Sequence, residues 1–230
     1  WKAGGSSSTY NIDGTGHATA SAAGLDGGTI DPTGASINTE TGFSIITYTG
    51  NGSAGATVAH GLGKKPEWII IKRRDSGDNW MVYHHEIHAS SPEDYYFELN
   101  ATGQRVDSTI MLNDTAPTST LITLGSDPSV NANTATYVMY SWTGIPGYSK
   151  FGSYKGNGST DGPYAHCGFS PRWFITRRVE GGSNAYIWDT AREPNNLNNS
   201  PLQANDPGSE PANYDNYFDI LSNGFKSRSS

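Results

Sequence analysis

Apolar and polar positions alternate along this chain in short stretches separated by glycine, asparagine and aspartate, the spacing of strands and turns rather than of helices. The run Phe43-Ser-Ile-Ile-Thr-Tyr48 is rich in β-branched residues. It ends at Thr49-Gly-Asn-Gly-Ser53, where Asn-Gly offers the positive φ angles of a tight hairpin. Further strands are predicted over 56–60, 67–73, 80–84, 95–99, 106–112, 119–124 and 134–142. Within 67–73 the core Trp-Ile-Ile-Ile shows no polar alternation, as expected of a strand covered on both faces. Short strands and turns at a spacing of roughly 8–12 residues predict a β-sandwich.

The pattern then returns. Tyr48-Thr-Gly-Asn-Gly-Ser53 recurs as Tyr154-Lys-Gly-Asn-Gly-Ser159, an offset of 154 − 48 = 106, and Pro66-Glu-Trp68 recurs as Pro171-Arg-Trp173, an offset of 171 − 66 = 105. Trp80-Met-Val-Tyr83 is matched by Tyr186-Ile-Trp-Asp189, and Phe97-Glu-Leu-Asn-Ala-Thr-Gly103 by Phe218-Asp-Ile-Leu-Ser-Asn-Gly224. A repeat of about a hundred residues is domain-sized, well beyond the roughly 20–50 residues of solenoid repeats. The expected fold class is all-β: two tandem, internally duplicated β-sandwich modules of jelly-roll or lectin-like kind, over 42–142 and 143–230, with an extended N-terminal arm or linker over 1–41. The arm holds mostly Gly, Ser, Thr and Ala, too little apolar area to offset backbone ordering at about 1–2 kcal/mol per residue, so its order is expected from another module or subunit. Trp68 and Trp173 are expected in equivalent buried positions. The second module carries a polar insertion over 192–216 and has no sequence counterpart of 119–142. Its edge over 218–225 is therefore expected to be capped by a neighbouring chain, by the arm of another copy, or by residues beyond 230.

Composition narrows the function. With 28 Gly, 13 Tyr and only 16% charged residues, the chain resembles neither a helical bundle nor an acidic disordered segment. A net charge of −7 leaves no basic stripe for a phosphate backbone, so nucleic acid is not an expected partner. No apolar run reaches the roughly 18 residues of a membrane span, and no membrane insertion is expected. A chain that starts at Trp1 reads as a piece of something longer. The single cysteine, Cys167, cannot form an internal disulfide; beside His166 on an extended segment the two side chains would point to opposite faces, which favours a small filler over an activated thiolate.

Four groups of residues carry candidate chemistry. His84, Glu86 and His88 would share one face of a strand and are the weak candidates for a metal, against a solvated loop; no cofactor is expected. Arg177 and Arg178, like Lys72-Arg-Arg74, end a Trp-containing strand. They could grip an acidic sugar, sulfate or phosphate, or pair with nearby carboxylates as alternating positions at a strand end. Trp188, Tyr164, Tyr214 and Tyr217 lie near polar loops and are candidate platforms for stacking on a ligand, against core packing. Glu86, Glu93, Asp94 and Glu98 are available as catalytic acids, yet no local motif selects a pair, and no nucleophile elbow or dinucleotide fingerprint occurs in its required context. The expectation is a protein that is not an enzyme.

Gly42-Phe-Ser-Ile-Ile-Thr-Tyr-Thr-Gly-Asn-Gly52, Val58-Ala-His-Gly-Leu-Gly63, Pro66 and Lys72-Arg-Arg-Asp75 together resemble a repeated domain of virion structural proteins in marine tailed phages, cyanophages included. The likeness continues through Val130-Asn-Ala-Asn-Thr134, Tyr137-Val-Met-Tyr140, Gly168-Phe-Ser-Pro171 and Asp219-Ile-Leu-Ser-Asn-Gly-Phe-Lys226. The resemblance implies a virion-surface location, in a tail fibre, spike or other appendage that adheres to host glycan or protein, with other virion subunits or copies of itself as partners in a homo-oligomer. It implies no catalytic residues. The alternatives are a purely structural capsid decoration or filament subunit joined by strand exchange, and a carbohydrate-active enzyme.

Overall fold

Most of the predicted alternation becomes strand in the computed structural model, which describes residues 1–210 and 217–228. The chain is all-β in character and divides into two units. Unit 1 comprises Trp1–Glu98 and Arg105–Ile145; unit 2 comprises Leu99–Gln104 and Pro146–Ser230.

Unit 1 contains β1 (Tyr10–Ile12), β2 (Thr15–His17), β3 (Gly34–Asn38), β4 (Phe43–Thr49), β5 (Ala56–Ala59), β6 (Trp68–Arg73), β7 (Met81–His84), β8 (Tyr95–Glu98), β9 (Val106–Asp107), β10 (Leu121–Leu124) and β11 (Thr136–Trp142). Nine of them form one sheet in the order β2-β1-β3-β4-β11-β6-β7-β8-β9, and β5 pairs with β10 in a second. Strand β11 is placed between β4 and β6, with Trp142 opposite Phe43 on one side and Trp68 on the other. Alternate residues of the large sheet, among them Ile37, Ile46, Ile69, Ile71, Met81, Tyr83 and Met139, join Val58, Ile122 and Leu124 of the small sheet in one core. Because successive side chains leave a strand on opposite faces, Trp68 and Ile70 are buried away from that core. Two-sided burial thus explains the unbroken Trp-Ile-Ile-Ile run.

Residues 1–41, expected as an arm apart from the first module, lie inside unit 1. β3 pairs antiparallel with β4, and β1 pairs parallel with β3. Ala35 and Ile37 bury alternate positions, and the Asp13 carboxylate accepts from the Thr39 N–H (2.7 Å) and hydroxyl (2.6 Å). Its order thus comes from the same chain. The predicted strand over 106–112 shortens to β9, with the rest a turn.

The Gly50-Asn-Gly-Ser53 loop is not the tight hairpin expected of Asn-Gly, since β4 and β5 lie in different sheets. Its geometry is fixed by a distant segment that includes the short helix α1 (Pro128–Asn131). Asn131 is fully buried; its Oδ1 accepts from Asn51 N (2.9 Å) and its Nδ2 donates to Ser53 O (2.8 Å). Gly52 N donates to Asn131 O, Gly50 N to Ala135 O, and Thr134 N to Gly50 O, each at 2.9 Å. Tyr48 and Tyr137 stack at 5.0 Å, and their hydroxyls donate to Val130 O and Pro128 O, both at 2.6 Å. Buried phenols with satisfied hydroxyls are stabilising, whereas unsatisfied ones cost the desolvation of the group.

Unit 2 contains β12 (Tyr164–His166), β13 (Trp173–Thr176), β14 (Tyr186–Asp189), β15 (Leu202–Gln203), β16 (Phe218–Leu221) and β17 (Gly224–Ser227), in sheets ordered β12-β17-β16 and β13-β14-β15. Its core is small and aromatic: Phe174, Trp188 and Phe218 are buried, with Phe225 stacked on Phe174 at 4.4 Å.

The strand registers of the two units follow one arithmetic. In unit 1, Trp68 faces His84 and Val82 faces Phe97; in unit 2, Trp173 faces Asp189 and Ile187 faces Leu202. All four positions are displaced by 105: 173 − 68, 189 − 84, 187 − 82 and 202 − 97. The β5–β10 pair Val58–Ile122 and the β12–β17 pair Tyr164–Lys226 are separated by similar offsets, 164 − 58 = 106 and 226 − 122 = 104. Leu202-Gln203, rather than Phe218-Asp219, thus lies at the 105-residue offset from Phe97-Glu98. Trp173 and Trp68 match in register but not in burial, since Trp173 is 40% exposed and Trp68 only 7%.

The edge expected to be open over 218–225 is closed within the chain. β17 is paired on both sides, and the outer side of β16 is met by the insertion. Phe218 and Asn198 exchange backbone hydrogen bonds at 3.1 Å, while the Asn196 amide donates to Ile220 O (3.1 Å) and accepts from Ile220 N (2.9 Å). A side-chain amide that mimics a strand in this way satisfies the edge without a donated strand.

Candidate binding surface

Of the six residues singled out as ligand contacts, five are described; Tyr214 lies outside the described residues. Tyr164 is 43% exposed on β12. Its hydroxyl donates to Asn223 Oδ1 at 2.5 Å and lies 3.4 Å from His166 Nδ1. Residues 164 and 166 share a strand face, so ring, imidazole and amide form one exposed group. Gly224 allows it: a Cβ there would meet the Tyr164 ring at 3.0 Å and Ala165 O at 2.1 Å. Lys150 donates to His166 O (2.7 Å), which holds the end of β12. His166 and Asn223 were missed in the sequence because they sit 57 residues apart (223 − 166) and meet only through the β12–β17 pairing. The Tyr-x-His spacing on a segment expected to be extended was the one available signal.

Trp188 is not an exposed platform. It is completely buried, stacked on Phe174 (6.2 Å), edge-on to Phe218 (5.0 Å), and its indole N–H donates to Thr176 Oγ1 (3.1 Å). Of the two expectations, platform or core packing, Trp188 takes the second, because burial is set by the strands on either side rather than by neighbours in sequence. Arg177 ties the excursion Leu99–Gln104 to unit 2: its Nη1 donates to Ala101 O (2.7 Å) and its Nη2 to Gly103 O (2.5 Å). Arg178 donates to Gly182 O (2.5 Å) across its own turn. Both guanidinium groups thus do structural work on backbone carbonyls. Tyr217 is half-buried beside β16, its carbonyl accepting from Arg228 N (2.9 Å).

In the histidine loop, backbone N–H groups engage one ring nitrogen of His84 and one of His88. His84 Nδ1 accepts from Glu86 N (3.1 Å) and His88 Nδ1 from Ser91 N (3.3 Å), while the His88 ring stacks on Tyr95 at 4.4 Å. Lone pairs engaged by backbone N–H groups are not available to a cation, and among the described residues no three His, Cys, Asp or Glu side chains converge as a metal site. Burial, followed by the neighbouring His85, lowers the His84 pKa to about 4. His60 is likewise lowered to about 4 by burial; its Nδ1 accepts from Leu62 N (3.2 Å) and its Nε2 lies 3.3 Å from Thr118 O. Cys167 is half-buried and its thiol pKa is raised by burial, opposite to what an activated nucleophile requires.

Fold and surface together define an all-β protein with a compact aromatic and amide face on its second unit. The whole chain, residues 1–230, matches the family described as Domain of unknown function (DUF7483), and the chain belongs to that family. No curated protein and no solved structure matches it.

Proposed function

We propose that the chain is a non-enzymatic structural module of a phage virion, part of a tail fibre, spike or surface appendage, and that it contributes to adhesion to host glycan or protein. The virion assignment rests on the sequence resemblance. The observation that carries the adhesive role is the exposed Tyr164 ring grouped with His166 and Asn223. An aromatic face for stacking, with an amide and an imidazole at its rim, suits a polyhydroxylated ligand at low conformational cost. In this reading the units are two copies of one sandwich module, supported by their shared strand register. Partners would be other virion subunits or copies of the chain, and repetition in an assembly would raise weak contacts to useful avidity.

Antibody labelling of intact particles tests the location, and binding of the purified chain to a glycan array and to host cell envelopes tests the role. The expected result is saturable binding weakened at least about tenfold by Tyr164→Ala, equivalent to about 1.4 kcal/mol. Binding that is indifferent to Tyr164→Ala would overturn the site, and absence from the particle surface would overturn the assignment.

A further inference from the structure

The Tyr-x-Gly-Asn-Gly-Ser sequence occurs twice and is treated differently each time. In unit 1, Tyr48 is 1% exposed and the loop behind it is held by residues 130–135. In unit 2, Tyr154 is 42% exposed, Gly156 is exposed where its counterpart Gly50 is buried, and the loop holds itself through Ser159 N to Asn157 Oδ1 (3.2 Å) and Asn157 Nδ2 to Asp161 O (3.0 Å). The first of these bonds repeats Ser53 N to Asn51 Oδ1 (2.9 Å), so the loop is preformed in both places.

The glycines sharpen the contrast. At Gly50 a Cβ would lie 2.4 Å from Ala132 O, so glycine is needed there because another backbone comes close. At Gly156 a Cβ would meet nothing within 4 Å, and its φ is not in the positive range. Nothing within the described structure requires a glycine at that position. Among the described residues unit 2 also has no strand in the place that β11 occupies in unit 1, next to the strand that begins with the Pro-x-Trp tryptophan.

From this we infer that the Tyr154–Ser159 loop of unit 2 is a docking site for an extended polypeptide segment of a partner chain, with the chemistry of residues 128–142: Val-Asn-x-Asn-Thr followed by a strand of alternating aromatic and apolar residues. Its buried asparagine would bridge Asn157 N and Ser159 O, as Asn131 bridges Asn51 N and Ser53 O. Its carbonyl would approach Gly156, and its tyrosine would stack on Tyr154. A second copy is not the donor, because its own Val130 and Asn131 are completely buried in unit 1. The inference goes beyond the adhesive role and does not depend on it.

The test uses the full chain and a labelled peptide with the sequence of residues 128–142, read by fluorescence anisotropy and by hydrogen exchange. The expected result is saturable binding with protection of the amides at 156–159, lost with Gly156→Val and weakened at least tenfold when the peptide asparagine equivalent to Asn131 is alanine. Gly156→Val points into open space and should leave the fold intact, which circular dichroism checks. Failure to bind, or binding unchanged by Gly156→Val, overturns the inference. So does concentration-dependent self-association that protects 156–159 without peptide, or protection of those amides by following residues of a longer form of the same chain.

Discussion

Trp68 and Trp173 face residues 84 and 189 across their strands at a common offset, yet one is buried and the other is 40% exposed. Register is set between two neighbouring strands by turn length and pairing. Burial is set by what lies over the sheet. Unit 1 places β11 between β4 and β6 and covers one sheet face with the β5–β10 pair, so its aromatic residues become packing. Trp142 stands among Phe43 (4.9 Å), Trp68 (4.6 Å) and Trp1 (6.0 Å). Unit 2 is built on sheets of three strands and gathers four aromatic rings into its core, leaving Tyr154, Tyr164 and Trp173 substantially exposed.

The largest expected effects come from removing the tryptophans. Trp68→Ala and Trp188→Ala should each cost about 3–5 kcal/mol, and Trp173→Ala, at a position 40% exposed, about 1–2 kcal/mol. Denaturant titration of the three variants checks this, and a large loss at Trp173 would erase the contrast between the units. Acid should act first on unit 1. His60 has a folded pKa of about 4 against 6.5 in the open chain, so the unfolded state binds more protons between those values. Stability is then full above about pH 6.5 and falls as pH drops toward 4, by about 3 kcal/mol for His60; the lowered His84 adds in the same direction. Hydrogen exchange at pH 7 and pH 4.5 checks this as preferential loss of protection in β5 and β7, and a His60→Gln variant should flatten the dependence.

Asn131→Ala should cost about 1–3 kcal/mol, because the loop loses the two hydrogen bonds by which the buried Asn131 amide bridges Asn51 N and Ser53 O. Asn157→Ala, in the exposed copy of that loop, should stay within about 0.5 kcal/mol. Thermal unfolding of the pair checks whether one loop sequence is structural in unit 1 and not in unit 2. Tyr164→Ala should stay at or below about 1 kcal/mol in stability whatever it does to binding.

Much of unit 1 was legible in the sequence. β4, β6, β7, β8, β10 and β11 fall where β-branched and aromatic residues alternate or run unbroken. The three strands within 1–41 were not, because Gly34–Asn38 carries only Ala35 and Ile37 as apolar residues and borrows its order from β4. The Asn-Gly turn was read by its own propensity, whereas Asn131, some eighty residues away, decides what the loop does. At the candidate surface Tyr164 was legible and its companions were not, since Asn223 reaches it only through a long-range pairing. Trp188 shows the converse case: its polar sequence neighbours left platform and core packing both open, and the cross-strand neighbours that decide between them follow from no spacing rule.

The detour of Leu99–Gln104 into unit 2 has a consequence for how the chain can be divided. The polypeptide passes between the units at 98–99, 104–105 and 145–146. A protease that cuts after Ile145 would therefore release a longer fragment that still carries part of its neighbour, gripped by Arg177 at Ala101 and Gly103 and by Ser183 N at Thr102 O (2.9 Å). The two pieces should co-purify under native conditions and separate under denaturing ones. Expressed as an isolated fragment, residues 146–230 would leave that guanidinium without its carbonyls, so a useful dissection must move the six-residue detour together with the second unit.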